Sequence, residues 1–147
     1  MRRPLLDFDL PDPAQVWLVV FLDPPSAAAD TPLRNRLLGA LLGLLRPGFR
    51  HVFAVSPVGP DGWLIVNPAS CGLTAGLVRG PLVPASIRRG TETGRARCVA
   101  VTARRPAVWQ PRGLFTCSNV IAHLTGISAH PFLTPYGLWR RMVTMRD

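Results

Sequence analysis

Three residues that lie far apart along the chain have side chains suited to a thiol-based catalytic site: Cys117, His51 and Asn67. A thiol becomes a nucleophile when it loses its proton, and a neighbouring imidazole can hold that proton. A carboxamide that hydrogen-bonds the imidazole fixes the tautomer and the direction of the ring. Together the three groups could attack an amide or ester carbonyl and form an acyl-enzyme at the sulfur.

The segment over residues 113–126, GLFTCSNVIAHLTG, is typical of a helix whose first turn holds Cys117. Val120, Ile121 and Leu124 follow at helical spacing, so Cys117 lies on the stripe that is expected to be buried. Unpaired backbone N–H groups and the helix dipole at this end favour a thiolate over a thiol. The alternative is an ordinary core cysteine, since free cysteine is among the most buried residue types.

Two β-prone segments, FRHVFAV and WLIVN, are joined by the turn-rich connector SPVGPDG and predict a hairpin. If the connector is symmetric about Gly59, residues equally far from Gly59 lie opposite each other. His51 then faces Asn67, with their Cβ atoms about 5 Å apart. The two lie at the open end of an apolar row on the same face, formed by the pairs Phe53–Ile65 and Val55–Trp63. The alternative is that this polar pair merely caps the end of the hairpin.

Four further residues of the right chemical type are scattered along the chain. Gln110 lies seven residues before Cys117, where a glutamine could donate a hydrogen bond to an oxyanion. His123 lies about 120° around the helix from Cys117, which keeps the two side chains apart. Cys71 falls in a turn and Cys98 begins a strand, so neither is expected to react.

The basic residues raise the question of an anionic partner. All 17 are arginine, and the net charge is +9. Residues 88–105 hold six arginines against one acid, and four of the six are candidate anion ligands: Arg88, Arg89, Arg104 and Arg105. A solvated basic face is the alternative interpretation. No glycine-rich phosphate loop, carboxylate pair or metal-binding helix motif is present, so neither a cofactor nor a metal is predicted.

The cysteine pattern and the length of the apolar runs bear on location. The three cysteines are odd in number and contain no Cys-x-x-Cys pair, which argues against a disulfide framework or a zinc site and favours a reducing compartment. The longest apolar runs, VWLVVFL and LLGALLGLL, are far shorter than the ~20 residues of a membrane-spanning helix. We expect a protein without a membrane span that stays in the cytoplasm or is packaged from there into a virion.

The elements that must position these residues are a mixture of helix and sheet. Strands are predicted at VWLVVFL, in the two hairpin segments and at CVAVTA, with a further short strand near GLVRG. Residues 31–48 predict a largely buried helix, and residues 80–97 look like a basic loop. Two helices close the chain, one beginning near Cys117 and one at Thr134 and Pro135.

The domain organisation follows from this order of elements. Residues 1–15 are rich in proline and aspartate and predict an extended N-terminal arm. Residues 16–147 show no internal repeat and no linker, so they predict a single domain. Because the central strands are adjacent in sequence, an α+β fold with an antiparallel sheet packed against helices is favoured over a doubly wound α/β fold.

Along this chain a histidine on one strand is followed by a polar residue on the next strand and then by a cysteine at a helix start. This order resembles that of the circularly permuted papain-like hydrolases, relatives of the NlpC/P60 and lecithin–retinol acyltransferase groups, in which the histidine precedes the cysteine. The segments that carry the likeness are FRHVFAV, WLIVNP and FTCSNVIAHLTGI, followed by FLTPYGLWRRM. The last two also resemble small proteins encoded in the structural-gene regions of tailed phages and prophages. The resemblance implies a permuted papain-like fold with Cys117 as nucleophile, His51 as base and Asn67 as the orienting residue.

Two functions of different classes therefore stay open. The first is a phage-type thiol hydrolase or acyltransferase, for which the resemblance implies cell-wall peptide or a virion protein as substrate. The second is a non-catalytic virion or tail-assembly protein with the same fold, which would contact other phage structural proteins. Nucleic acid is expected as a partner only through non-specific charge, because no helix-turn-helix or aromatic stacking strip is visible.

Overall fold

The computed structural model describes residues 16–23, 45–69, 72–104, 116–128 and 133–145. These residues form five strands and three helices, numbered in chain order. The strands are β1 (Val16–Leu22), β2 (His51–Val58), β3 (Gly62–Ala69), β4 (Gly72–Arg79) and β5 (Ala96–Thr102). The helices are α1 (Leu82–Glu92), α2 (Cys117–Thr125) and α3 (Pro135–Thr144). This combination confirms the α+β class.

The five strands form one antiparallel sheet in the order β4-β3-β2-β1-β5. β1 lies between β2 and β5, and its neighbouring residues Val19, Val20 and Phe21 are all buried although they alternate between the two faces. A strand that is covered on both faces has a continuous apolar sequence, which explains the run VWLVVFL. β4 and β5 form the two edges of the sheet.

The main core lies between one face of this sheet and the helices α2 and α3. Trp17, Val19 and Phe21 contribute alternate side chains of β1 to that face. Ile121 of α2 and Leu138 of α3 are fully buried against them. The sequence places apolar residues at helical spacing in α2, so this helix can bury one stripe and keep its N-terminal residue beside the sheet.

The β2–β3 hairpin is present, but the predicted register is wrong by two residues. The centre of the hairpin is Pro60 and not Gly59, so neither of the predicted apolar pairs is formed; the observed pairs are Ala54–Val66, Val55–Ile65, Ser56–Leu64, Pro57–Trp63 and Val58–Gly62. The cause is that β2 continues as far as Val58, into the predicted connector. A shift of two residues keeps each side chain on its predicted face, because strand side chains alternate with a period of two.

Residues 80–97 are not the loop that the sequence predicts. They contain α1 and the start of β5. The sequence gives little sign of α1, because none of its residues is fully buried and its half-buried side, formed by Val83, Pro84, Ile87 and Gly90, contains a proline and a glycine, which favour loops. Pro84 lies in its first turn, where a missing N–H costs no intrahelical hydrogen bond. The short strand predicted near GLVRG is the eight-residue edge strand β4, which begins at Gly72.

The predicted start and end of α2 and the predicted start of α3 are confirmed. Thr116 caps α2 by accepting a hydrogen bond from the Asn119 amide, and Thr134 caps α3 by accepting one from Gly137. Gly126 ends α2 in the left-handed conformation, with φ of 72°. Threonine caps and a terminal glycine are sequence signals that act locally, which is why they predict helix boundaries well.

Some predictions concern residues outside the described ranges. These are the N-terminal arm over residues 1–15, most of the helix predicted over residues 31–48, Gln110 and Arg105. Of the helices that the structure does describe, none has the length and apolar character needed to cross a membrane.

Candidate functional site

The first residue of α2 is Cys117, and its thiol is directed towards the sheet. The side chain is half-buried and packs against the main core cluster. Its sulfur lies within hydrogen-bonding reach of the backbone amide of Val52, the second residue of β2. The hydroxyl of Ser118, whose oxygen is buried and makes no other hydrogen bond among the described residues, also lies beside the sulfur. The start of α2 therefore places the thiol beside the beginning of β2.

The pKa of Cys117 is raised above its usual value, and burial of the thiol is the main cause. The amides of Val52, Ser118 and Cys117 and the Ser118 hydroxyl act in the opposite direction, because they donate to a thiolate. The sequence predicts that donors at the helix start favour the thiolate; they are present, but desolvation outweighs them. The thiol is therefore protonated at neutral pH in this structure.

His51 and Asn67 are joined by a hydrogen bond of 2.7 Å between the imidazole Nε2 and the carboxamide Oδ1. The Asn67 oxygen can only accept, so Nε2 carries the proton and Nδ1 keeps its lone pair. This arrangement assigns the ring a tautomer in which Nδ1 can accept a proton. The predicted contact between the two residues is thus formed.

The observed register makes this contact diagonal and not directly opposite. Continuing the pairing of β2 with β3 beyond Ala54 and Val66 sets Pro68, which has no N–H, opposite Val52. The β2–β3 ladder ends at the pair Ala54–Val66, before Val52 is reached. The two strands are therefore no longer paired at the end that carries His51 and Asn67. A diagonal neighbour remains within reach of long side chains.

The thiol and the imidazole meet the same short stretch of β2 but are not hydrogen-bonded to each other. Cys117 reaches the amide of Val52, and His51 is the preceding residue. Alternation along the strand directs His51 away from the face that Val52 shares with the core. Among the described residues, the side chain of His51 hydrogen-bonds only Asn67. The structure therefore brings two of the three candidate residues into contact and places the third at the adjoining backbone.

The other candidate residues are dispersed. His123 is exposed on the last turn of α2, as its spacing from Cys117 predicts. Arg88 and Arg89 are exposed on α1, and neither forms an ion pair with a described carboxylate. Arg104 follows β5 and lines a cavity of about 160 Å³ between β5, α2 and α3. That cavity does not include the thiol.

Sequence reasoning did not find the groups that surround the thiol. Val52 contributes through its backbone, which no side-chain motif reveals. Ser118 could have been noticed as a hydroxyl placed directly after the cysteine, at the start of a helix that must be buried. The described residues contain no group of three or more potential metal ligands. The site thus consists of a thiol, an imidazole–carboxamide pair and amide donors.

Comparison with known proteins adds no relative: the chain matches no protein-family model, and neither a curated protein nor a solved structure is significantly similar to it. Function must therefore be argued from the residues and their geometry.

Proposed function

We propose that the protein is a thiol hydrolase or acyltransferase with a circularly permuted papain-like fold. Cys117 is its nucleophile, His51 its general base and Asn67 the residue that orients the base. The observation that carries the proposal is the 2.7 Å bond from His51 Nε2 to Asn67 Oδ1, which leaves Nδ1 as the proton acceptor. The position of the sulfur at the Val52 amide, one residue along from His51, supports it.

The raised pKa of Cys117 selects between two mechanisms. A thiolate–imidazolium pair formed in advance would need a lowered thiol pKa, whereas general-base catalysis transfers the proton only as the sulfur attacks. We propose the second. This mechanism requires the His51 ring, which alternation directs away from the core face, to turn its Nδ1 towards the sulfur when substrate arrives; the β2–β3 ladder ends before His51 and does not hold it on that side.

The reaction then proceeds in two balanced steps. The sulfur bonds to the carbonyl carbon of an amide or ester while Nδ1 takes the thiol proton, and that proton passes to the departing amine or alcohol as its bond breaks. Water, or another nucleophile in a transferase, then attacks the thioester and releases the thiol. The amides of Val52 and Ser118, which already donate towards the sulfur, are placed to stabilise the oxyanion.

Thiol reactivity tests this proposal without knowledge of the substrate. His51→Ala should slow the labelling of Cys117 by iodoacetamide at neutral pH, because His51 takes the thiol proton as the sulfur attacks. The matched control is His123→Ala, which changes an exposed histidine on the helix that carries the cysteine. A Cys117 labelling rate that His51→Ala leaves unchanged, measured by mass spectrometry of peptides, would exclude the hydrolase.

The substrate class follows from the resemblance to phage-encoded proteins. We propose amide bonds of cell-wall peptide as the first substrate to assay. Release of amino groups from purified cell-wall peptide by the wild-type chain, with none released by Cys117→Ala, is the expected result. Turnover of a simple thioester or ester without any cell-wall activity would favour an acyltransferase.

One observation favours the second candidate function, a non-catalytic virion or tail-assembly protein with the same fold. The thiol is held as a neutral, half-buried group and is not hydrogen-bonded to His51, as expected of a cysteine that serves packing. This alternative predicts that the protein is found in purified particles by mass spectrometry and associates with particle subunits in gel filtration. A monomer that is absent from particles would contradict it.

A further inference from the structure

A cluster of aromatic rings lies on the same side of the sheet as Cys117. The Phe49 ring is 5.1 Å from that of Tyr136 and 5.2 Å from that of Trp139, measured between ring centroids. Tyr136 and Trp139 are stacked with their planes 20° apart. The half-buried Cys117 side chain packs against the same hydrophobic cluster as these rings. The aromatic cluster therefore joins α3 to the sheet within the same core that the candidate nucleophile packs against.

Two arginines cover this cluster from solvent. The guanidinium carbon of Arg46 lies 4.2 Å from the centroid of Tyr136, and that of Arg97 lies 4.8 Å from the centroid of Phe49. A guanidinium stacked on a ring is held in place while its N–H edge stays available for hydrogen bonds. The Arg97 guanidinium also lies against Gly48, at the place where any larger residue would put its Cβ. Both cations are thus oriented before any ligand binds.

Within the described residues, no carboxylate balances the charges of these two arginines. Neither forms an ion pair with a described carboxylate. One carboxylate oxygen of the neighbouring Asp23 accepts a hydrogen bond of 2.8 Å from the Gly48 amide. Its other oxygen lies 4.0 Å from the Arg50 guanidinium. Two positioned guanidinium groups without a carboxylate partner are a binding arrangement for an anion.

The chain between this cluster and the thiol limits how far apart they lie. Phe49 precedes Val52 by three residues, so their backbones are at most about 10 Å apart, although β2 begins only at His51. The Cys117 sulfur lies at the Val52 amide. A peptide of two or three residues spans that length. A substrate whose carbonyl lies at the sulfur can therefore place a negatively charged group at the arginines.

We propose that Arg46 and Arg97 form an anion subsite that binds a carboxylate of the acyl substrate, so that the enzyme selects acidic peptides. The inference rests on the proposed thiol hydrolase or acyltransferase and specifies its substrate class. A carboxylate pairs with a guanidinium edge through two parallel hydrogen bonds, and the stacked rings keep the two cations fixed for it.

Alkylation by a matched pair of reagents tests the subsite separately from the thiol chemistry. Iodoacetate is anionic and iodoacetamide is neutral, while both lose iodide to the same thiolate. The ratio tested is the rate of iodoacetate divided by that of iodoacetamide at Cys117. It should fall at least about threefold in the Arg46→Gln, Arg97→Gln double variant, with the iodoacetamide rate unchanged. Lysines at both positions should restore part of the ratio, because they retain the charge without the planar fork.

The control variant is Arg88→Gln, Arg89→Gln, which removes the same charge from the exposed helix α1 and should leave the ratio unchanged. An equal fall in both double variants means that only net charge matters and overturns the subsite. If His51→Ala leaves the iodoacetamide rate at Cys117 unchanged, the proposed enzyme fails, and the subsite is judged by binding alone.

Binding is measured by calorimetry with the Cys117→Ser variant, which cannot form a thioester. Acetyl-glycyl-glutamate should bind more tightly than acetyl-glycyl-glutamine, and the Arg46→Gln, Arg97→Gln changes should remove the difference. No difference between the two peptides overturns the proposal. An oligonucleotide that binds through these arginines at about 200 mM salt, where non-specific contacts are weak, also overturns it if the glutamyl peptide does not bind.

Discussion

The direction of the His51 ring depends on a single carboxamide oxygen. In Asn67→Ala the Nε2 proton loses its acceptor, so the tautomer and the direction of the ring are no longer fixed. We expect the alkylation rate of Cys117 at neutral pH to fall about tenfold or more, towards that of His51→Ala. Asn67→Asp retains an acceptor at this position and should recover most of the rate. Rates for Asn67→Ala equal to wild type would mean that the hydrogen bond only caps the hairpin.

The raised pKa of Cys117 also makes a prediction about stability. Below about pH 8.5, the usual thiol pKa, the folded and unfolded chains both keep the proton. Above it the unfolded thiol ionises first, so the free energy of unfolding falls until the pH passes the folded pKa.

Urea unfolding between pH 8 and pH 10.5, approximately, should therefore show a steeper loss of stability for wild type than for Cys117→Ala. Ionisation of other groups is common to the two proteins and cancels in the difference. Parallel curves, or a wild type that gains stability relative to the variant with increasing pH, would show that the thiol pKa is not raised.

These residues also show what a sequence can predict about a site. The position of Cys117 at the helix start and its place on the buried stripe follow from local spacing. The contact of His51 with Asn67 follows from alternation along two neighbouring strands. The sign of the pKa shift does not follow, because it depends on how deeply α2 packs against Val52, and that depth is set by the whole core.

At the scale of elements, the ends of α1 and α2 offer a matched pair of glycines, Gly94 and Gly126. Gly126 and Gly94 have φ of 72° and 68°, so a side chain at either position is strained. A Cβ at Gly126 would also collide with the backbone carbonyl of Arg104, whereas Gly94 has open space around it. Gly94→Ala should cost about 1–2 kcal/mol of unfolding free energy from backbone strain alone.

Gly126→Ala should cost at least about 1 kcal/mol more than Gly94→Ala, because α2 must shift to relieve the collision. Chemical unfolding measures both costs. If α2 shifts, the Cys117 alkylation rate should change in Gly126→Ala and stay at the wild-type value in Gly94→Ala. Equal costs for the two variants would show that the contact between Gly126 and Arg104 is not tight in solution.

The two elements that the sequence misjudged differ in their physical cause. The hairpin register was misplaced because Ser56 and Pro57 favour turns locally, yet Ser56 is fully buried and donates to the Val16 carbonyl at 2.9 Å, which keeps β2 extended. α1 was missed because its half-buried side contains Pro84 and Gly90, which favour loops in a sequence-based prediction. The helix forms nonetheless because Pro84 lies in its first turn, where no N–H is needed.

At the scale of the whole molecule, the arginines determine the long-range electrostatic potential. A net charge of +9 predicts attraction to any polyanion, and the exposed pair Arg88 and Arg89 on α1 is available for it. Because α1 buries nothing, these side chains can change without disturbing the core. The resulting binding to duplex DNA should be weak and indifferent to base sequence, since no described element has the features of a recognition helix.

Fluorescence anisotropy with two unrelated duplexes of equal length tests this expectation. Affinity should fall about tenfold between 50 and 200 mM salt for every two phosphates neutralised, equally for both duplexes. Arg88→Gln, Arg89→Gln should lower the slope of the logarithmic salt dependence by about two if both arginines contact phosphate. A higher affinity for one of the two duplexes, or binding that persists at high salt, would mean that the basic surface is a specific nucleic-acid site. The assignment of the chain as a thiol enzyme would then have to be reconsidered, because its charge would serve recognition and not only solvation.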